Sequence, residues 1–226
     1  MNETVWILRE SGEEAVELAA SLNIPLEIAH ILVNRNITDT ISAREFLFGT
    51  LDNLNDPFLL KDMKKVVFRI QQAIRENENI LIFGDYDVDG ILSVVILTKA
   101  LLKLGGKVDH FIPDRLNEGY GIKQEFVDIA VQRNAGLVIS VDCGIKALNF
   151  VESAKAKNID TIITDHHRPG KILPDAYAIL NPLVPDSNYP NKNLAGIGVV
   201  FKLVQALFER NGLTSQLPHY LSLIHI

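Results

Sequence analysis

Apolar positions along this chain follow two rhythms, with the change-over near residue 80. Before it they recur at helical spacing, predicting short helices over 12–22, 26–34 and 42–48, a turn-rich link over 52–57 and a longer helix over 63–76. Pro25 stands near the start of the second helix, where proline is tolerated, and Thr40-Ile41-Ser42 reads as a cap before the third. From Ile80 onward, short β-branched runs alternate with helical stretches. Strands are predicted over 80–83, 107–112, 137–141, 161–164 and 176–180, and helices over 92–104, 123–134, 146–157 and 198–211. Continuous apolar runs of this length are the pattern of strands buried on both faces, and their alternation with helices implies right-handed crossovers. The predicted fold is α/β: a mostly parallel sheet with flanking helices over 76–226, preceded by a small helical segment over 1–75.

Composition narrows the picture a little. A net charge of −6 argues against a chain coated in basic residues, although bound cations or a local groove can still supply a positive field. Cys143 is the single cysteine, so no internal disulfide can form, which fits a reducing compartment. No apolar stretch approaches the roughly 20 residues a bilayer span needs, and residues 1–6 lack the features of a secretory signal. No membrane contact is expected, and the cytoplasm is the expected location.

The chemistry concentrates where the apolar runs stop. Ile80 to Phe83 leads into Gly84-Asp85-Tyr86-Asp87-Val88-Asp89-Gly90, Leu137 to Val141 ends on Asp142-Cys143-Gly144, and Thr161 to Thr164 ends on Asp165-His166-His167. In an open α/β sheet the carboxyl ends of the strands share one crevice, so these groups should converge. Asp85, Asp87 and Asp89 repel one another unless a cation sits among them; the bland reading is an acidic loop facing solvent. Gly90 is expected to add a tight turn through which backbone approaches a ligand. The loop is not an EF-hand, since Ile96 stands where the closing Glu would be and a strand precedes it. Asp142 alone would read as a helix cap, and Cys143 as a small buried residue. Adjacent histidines are the sharper signal: one ring can ligate a metal while the other contacts a phosphate oxygen. Oxygens plus imidazole, without a thiolate pair, suit Mn²⁺ or Mg²⁺ and phosphate-ester chemistry. Two lesser candidates for phosphate binding are Arg115, in the loop 113–121, and the Gly196/Gly198 pair before the last helix.

Asp-x-Asp-x-Asp-Gly at 85–90, Val-Asp-Cys-Gly at 141–144 and Asp-His-His at 165–167, in this order, resemble the DHH phosphoesterases. Flanking pieces at 34–35, 46–47, 54–57, 115–121 and 196–202 resemble the family's bacterial exonucleases that act on single-stranded DNA. The resemblance implies two divalent ions, Mn²⁺ or Mg²⁺, ligated by Asp87, Asp89, Asp142 and His166. His167 would touch the metal or the scissile phosphate. Asp85 and Asp165 complete the expected metal-site set, and Arg115 would hold a phosphate of the strand. The implied activity is 5′→3′ release of mononucleotides from single-stranded DNA in repair and recombination, alongside single-strand-binding protein and a helicase.

This sequence departs from the family in two respects. Phe83 stands where some relatives carry a ligating His, and a further strand with a metal-binding Asp is expected to begin where Tyr220 to Ile226 lie. The chain therefore reads as a fragment holding most of the metal site. Two competing readings are a phosphoesterase for small substrates (pyrophosphate, nanoRNA or cyclic dinucleotides) and a non-catalytic replication or repair scaffold.

Overall fold

In the computed structural model, which describes residues 12–114 and 121–224, the helical rhythm and the alternating rhythm fall into different parts of the chain. The polypeptide divides into two compact units, one ending at Leu54 and the other beginning at Asn55. The first holds α1 (Glu13–Leu22), α2 (Leu26–Asn34) and α3 (Thr40–Phe48) around a core of Ala15, Leu18, Leu22, Ala29, Leu32 and Ala43. Asp39, one residue before the expected cap, closes α3 by accepting from the Ser42 amide at 2.9 Å. α4 (Met63–Arg75), which the sequence groups with the helical preface, packs within the second unit against β5 and α8, whose ranges follow.

The second unit carries β1 (Asn79–Gly84), α5 (Val88–Lys103), β2 (Lys107–Phe111), α6 (Val127–Gln132), β3 (Ala135–Val141), α7 (Leu148–Ala156), β4 (Asp160–Thr164), β5 (Ala178–Leu180), α8 (Gly196–Arg210) and α9 (Leu217–Ile224). The five strands form one sheet in the order β2-β1-β3-β4-β5, every neighbouring pair parallel. The expected fold class is what the chain adopts. Leu81, Phe83, Val138, Ile163 and Ile179 face a layer made by Phe126, α6 and α7. α4, α5 and α8 cover the other face. Phe83 is fully buried and stacks on Phe126 with ring centroids 5.5 Å apart, so this position supplies packing and no ligand.

Several boundaries differ from expectation. The helix expected over 123–134 starts as a 3₁₀ turn, Gln124–Phe126, which places the Phe126 ring in the cluster with Phe83 and Phe111. α5 and α8 begin earlier than predicted, so Gly90, Gly196 and Gly198 lie inside helices and not in loops before them. Residues 217–224 are helical where a strand was expected to begin. Leu217 and Tyr220, three apart, are buried on one side, with the Tyr220 ring edge-on to Phe208 of α8 at 5.0 Å, and Pro218 in the first turn is tolerated. No helix among the described residues is long and apolar enough to cross a membrane.

The amino ends of the strands are tied by one side chain. Arg69, 6% exposed, donates two hydrogen bonds to Glu78, at 3.1 and 2.7 Å, and one to Asp160 at 2.6 Å. Its guanidinium fork thus links α4 to the starts of β1 and β4.

Candidate metal centre

Strand register collects the site. Gly84 pairs with Val141, and Val141 with Thr164, which in turn pairs with Leu180. The next residue in each strand is therefore at the same level: Asp85, Asp142, Asp165 and Asn181. All four side chains are buried, none more than 2% exposed. β1 and β3 flank the point where successive connections leave in opposite directions, the place where such sheets open a crevice.

Two groups of three donors overlap here. Asp85, Asp87 and Asp142 bring one carboxylate oxygen each within 4.8 Å of one another, and so do Asp142, His166 and His167 with one ligand atom each. Asp142 belongs to both. Its Oδ1 is buried and accepts no hydrogen bond among the described residues. His166 Nε2 comes within 3.2 Å of it, without hydrogen-bond geometry. Two ligands of a single octahedral ion stand roughly 3 Å apart, so this close approach suits a shared cation. Burial, then the charges of Asp89, Asp87, Asp165 and Asp85, push the Asp142 carboxyl up to about 8. Burial also raises Asp85, although the Tyr86 amide it accepts partly offsets this. An orphaned buried oxygen among mutually repelling carboxylates fits a divalent cation with oxygen and imidazole ligands.

The remaining acidic groups take other partners. Asp165 was expected among the ligands, but Oδ1 accepts from the His166 and His167 amides and meets His167 Nδ1 at 2.7 Å, while Oδ2 accepts from the Ile145 amide. It orients the His167 ring through Nδ1. Asp87 is the N-cap of α5, accepting from the Gly90 amide at 2.9 Å while staying exposed. Asp89 lies in the first turn of α5 and accepts from the Gly196 amide at 2.8 Å and from the Ile197 amide. The amino end of α8 does receive an anion, as its glycines suggested, but the anion is Asp89 of the same chain. Asp89 Oδ2 remains 3.9 Å from His166 Nε2.

Two glycines close to the site serve by their lack of a side chain. A Cβ on Gly90 would lie 2.5 Å from the Asp85 carbonyl oxygen, and one on Gly196 would lie 2.2 Å from Asp142 Oδ1. A Cβ on Gly198 would meet the Leu194 side chain instead. Arg115 lies outside the described residues. Asn181 was not anticipated: its Nδ2 donates to the His167 carbonyl at 2.9 Å, tethering the histidine loop to β5. The available signal was its position, directly after an apolar run like Asp85, Asp142 and Asp165.

Residues 79–226 match the DHH family, N-terminal domain, and the chain belongs to that family. It is 43% identical over 203 residues to the single-stranded-DNA-specific exonuclease RecJ of Bacillus subtilis (strain 168), covering 89% of this chain and 26% of that protein. A crystal structure of exonuclease RecJ bound to manganese is 37% identical, with a TM-score of 0.63 over 68% of this chain and 39% of that one. RecJ from Thermus thermophilus in complex with Mn²⁺ is 30% identical, with a TM-score of 0.70 over 90% of this chain and 28% of that one. The chain spans about a quarter of the length of the Bacillus subtilis relative.

Proposed function

We propose that this chain binds two divalent cations, Mn²⁺ or Mg²⁺, and forms the metal-holding part of a 5′→3′ exonuclease of single-stranded DNA acting in repair and recombination. The observation that carries the proposal is Asp142 Oδ1, buried without a hydrogen bond where the two donor groups intersect. Asp85, Asp87, His166 and His167 would hold the ions together with Asp142, which belongs to both donor groups. When bound, the ions supply a lowered pKa for water and neutralise charge on the phosphate. Asp165 keeps the His167 ring in one tautomer, and Asn181 holds the loop that carries it. Asp89 fixes the amino end of α8 beside Asp142, through the amides of Gly196 and Ile197. Relatives named as single-stranded-DNA-specific exonucleases, and RecJ structures holding Mn²⁺, support both the substrate and the cation.

Calorimetric titration with Mn²⁺ tests the site: uptake of two ions per chain is expected, and none would overturn the reading. With Mn²⁺ present, release of mononucleotides from 5′-labelled single-stranded DNA should exceed hydrolysis of pyrophosphate. The opposite preference would favour a small-molecule phosphoesterase.

A further inference from the structure

Asp85, Asp142 and Asp165 end neighbouring strands, yet their backbones differ. Asp142 alone of the three has a positive φ, 59°, in the left-handed region that residues other than glycine seldom adopt. Asp85 and Asp165 accept from amides of their own loops, whereas Asp142 Oδ1 accepts no hydrogen bond among the described residues. Nothing bonded to that oxygen fixes its direction, so the backbone has to. Three hydrogen bonds hold that backbone. Thr164 Oγ1 donates to the Ser140 carbonyl at 2.7 Å, the Asp142 amide donates to the Thr164 carbonyl at 2.9 Å, and Ser140 Oγ donates to the Cys143 carbonyl at 2.9 Å. Ser140 and Thr164 are both fully buried. Ser140 pairs with Phe83 and Ile163, which belong to the apolar layer on that face of the sheet, where an unbonded hydroxyl would be costly. Gly144, with a φ of 108°, completes the turn: a Cβ there would lie 2.5 Å from Ser140 Oγ. A left-handed residue other than glycine persists only where its surroundings enforce it, and such positions gather at functional sites.

We propose that Ser140 is a positioning residue for the cation: its hydroxyl, braced by that of Thr164, locks the left-handed turn and so aims the Asp142 carboxylate at the place where the two donor groups intersect. The inference rests on the metal-binding reading and adds to it a residue that acts only through Asp142. Without the lock, Asp142 would relax to an ordinary backbone conformation, as at Asp85 and Asp165, and turn an oxygen toward the amides of its own loop.

The test titrates the full chain with Mn²⁺ by calorimetry and follows its thermal melt in chelator. Ser140→Ala should weaken Mn²⁺ binding about 10–100-fold, the range for removal of a ligand's support. Thr164→Val, which keeps the shape but loses the hydroxyl, should weaken it about 10-fold, and Thr164→Ser, which keeps the hydroxyl, should stay near the wild type. Thr161 is the control: it is buried in β4 with a hydroxyl that has no partner among the described residues, so Thr161→Val should leave Mn²⁺ affinity unchanged. Hydroxyls that serve the fold alone would lower the Tm of Ser140→Ala and Thr164→Val without changing Mn²⁺ affinity, and that result overturns the proposal. Equal weakening by Thr164→Val and Thr164→Ser, or by Thr161→Val and Ser140→Ala, overturns it too. Should Ser140→Ala melt below the titration temperature, the Thr164 pair decides. A wild-type chain that takes up no Mn²⁺ sinks the metal-binding reading and this inference with it, whereas uptake indifferent to Ser140 and Thr164 sinks this inference alone.

Discussion

At the amino ends of β1 and β4, Glu78 and Asp160 close on the Arg69 guanidinium; at the carboxyl ends of β1, β3 and β4, Asp85, Asp142 and Asp165 have no Lys or Arg in ion-pair contact among the described residues. The two ends are built from the same strands and gather the same kind of group. Arg69 holds its charge despite burial because both carboxylates favour the charged form. Around Asp142 burial acts first and the charges of Asp89, Asp87, Asp165 and Asp85 add to it, so its proton affinity rises. Where a fold supplies its own cation, a carboxylate cluster is a clamp; where it supplies none, the cluster is prepared for a cation from solution.

Removing the central carboxylate should separate the two ends most sharply. Asp142→Asn is expected to lower Mn²⁺-dependent cleavage by at least about 10³-fold, because the carboxylate common to both donor groups loses its charge. In chelator the same substitution should raise the Tm by about 2–4 °C, since folding no longer has to protonate a carboxyl held among like charges. Steady-state assays and thermal melts check both halves. Undiminished cleavage would remove Asp142 from the scheme.

The opposite end should respond in stability and not in metal binding. Arg69→Met leaves Glu78 and Asp160 without their cation and should cost about 3 kcal/mol, somewhat reduced by the water that reaches Asp160. Denaturant unfolding measures this, and Mn²⁺ affinity of the folded protein should stay within about twofold. Loss of both together would mean the two ends are one coupled device.

Smaller effects sharpen the division within the site. Asp165→Asn keeps the size of the side chain but offers one carbonyl oxygen where two oxygens now accept, so His167 loses its fixed orientation. Mn²⁺ affinity should fall about 10–100-fold, the range expected when a ligand's supporting partner is removed. An effect as severe as that of Asp142→Asn would instead make Asp165 a ligand.

The pH dependence of the metal-free protein is the smallest signal. An unfolded carboxylate titrates near 4, roughly, and the folded Asp142 at about 8. Between those values the native state binds more protons than the unfolded state, so stability falls as pH rises through this window. Melts in chelator should show a lower Tm at pH 8 than at pH 6, a slope that Asp142→Asn flattens. A Tm that rises with pH would show that the cluster does not behave as described.

Much of this was legible from local pattern. The β-branched runs announced buried parallel strands, and the acidic and imidazole residues that end them announced one crevice, because parallel strands all finish on the same side. Arg69 passed unnoticed, since it sits mid-helix and its partners lie 9 and 91 positions away. The start of α8 was also misplaced: with no capping side chain of its own at Ala195, it is closed by Asp89 from 107 residues upstream.

The amino-acid order by itself determined where strands and helices form and which side chains end each strand, because hydrophobic period and turn chemistry act over a few residues. Which carboxylate meets an amide, which meets an imidazole ring and which is left without a partner was decided only by the register of β1, β3 and β4 and by the docking of α5 against α8. Those choices depend on distances between segments far apart in the chain, and no local pattern encodes them. Asp85, Asp142 and Asp165 occupy equivalent places in three similar runs, yet only the folded sheet leaves the first two among groups that could hold a cation and gives the third to His167.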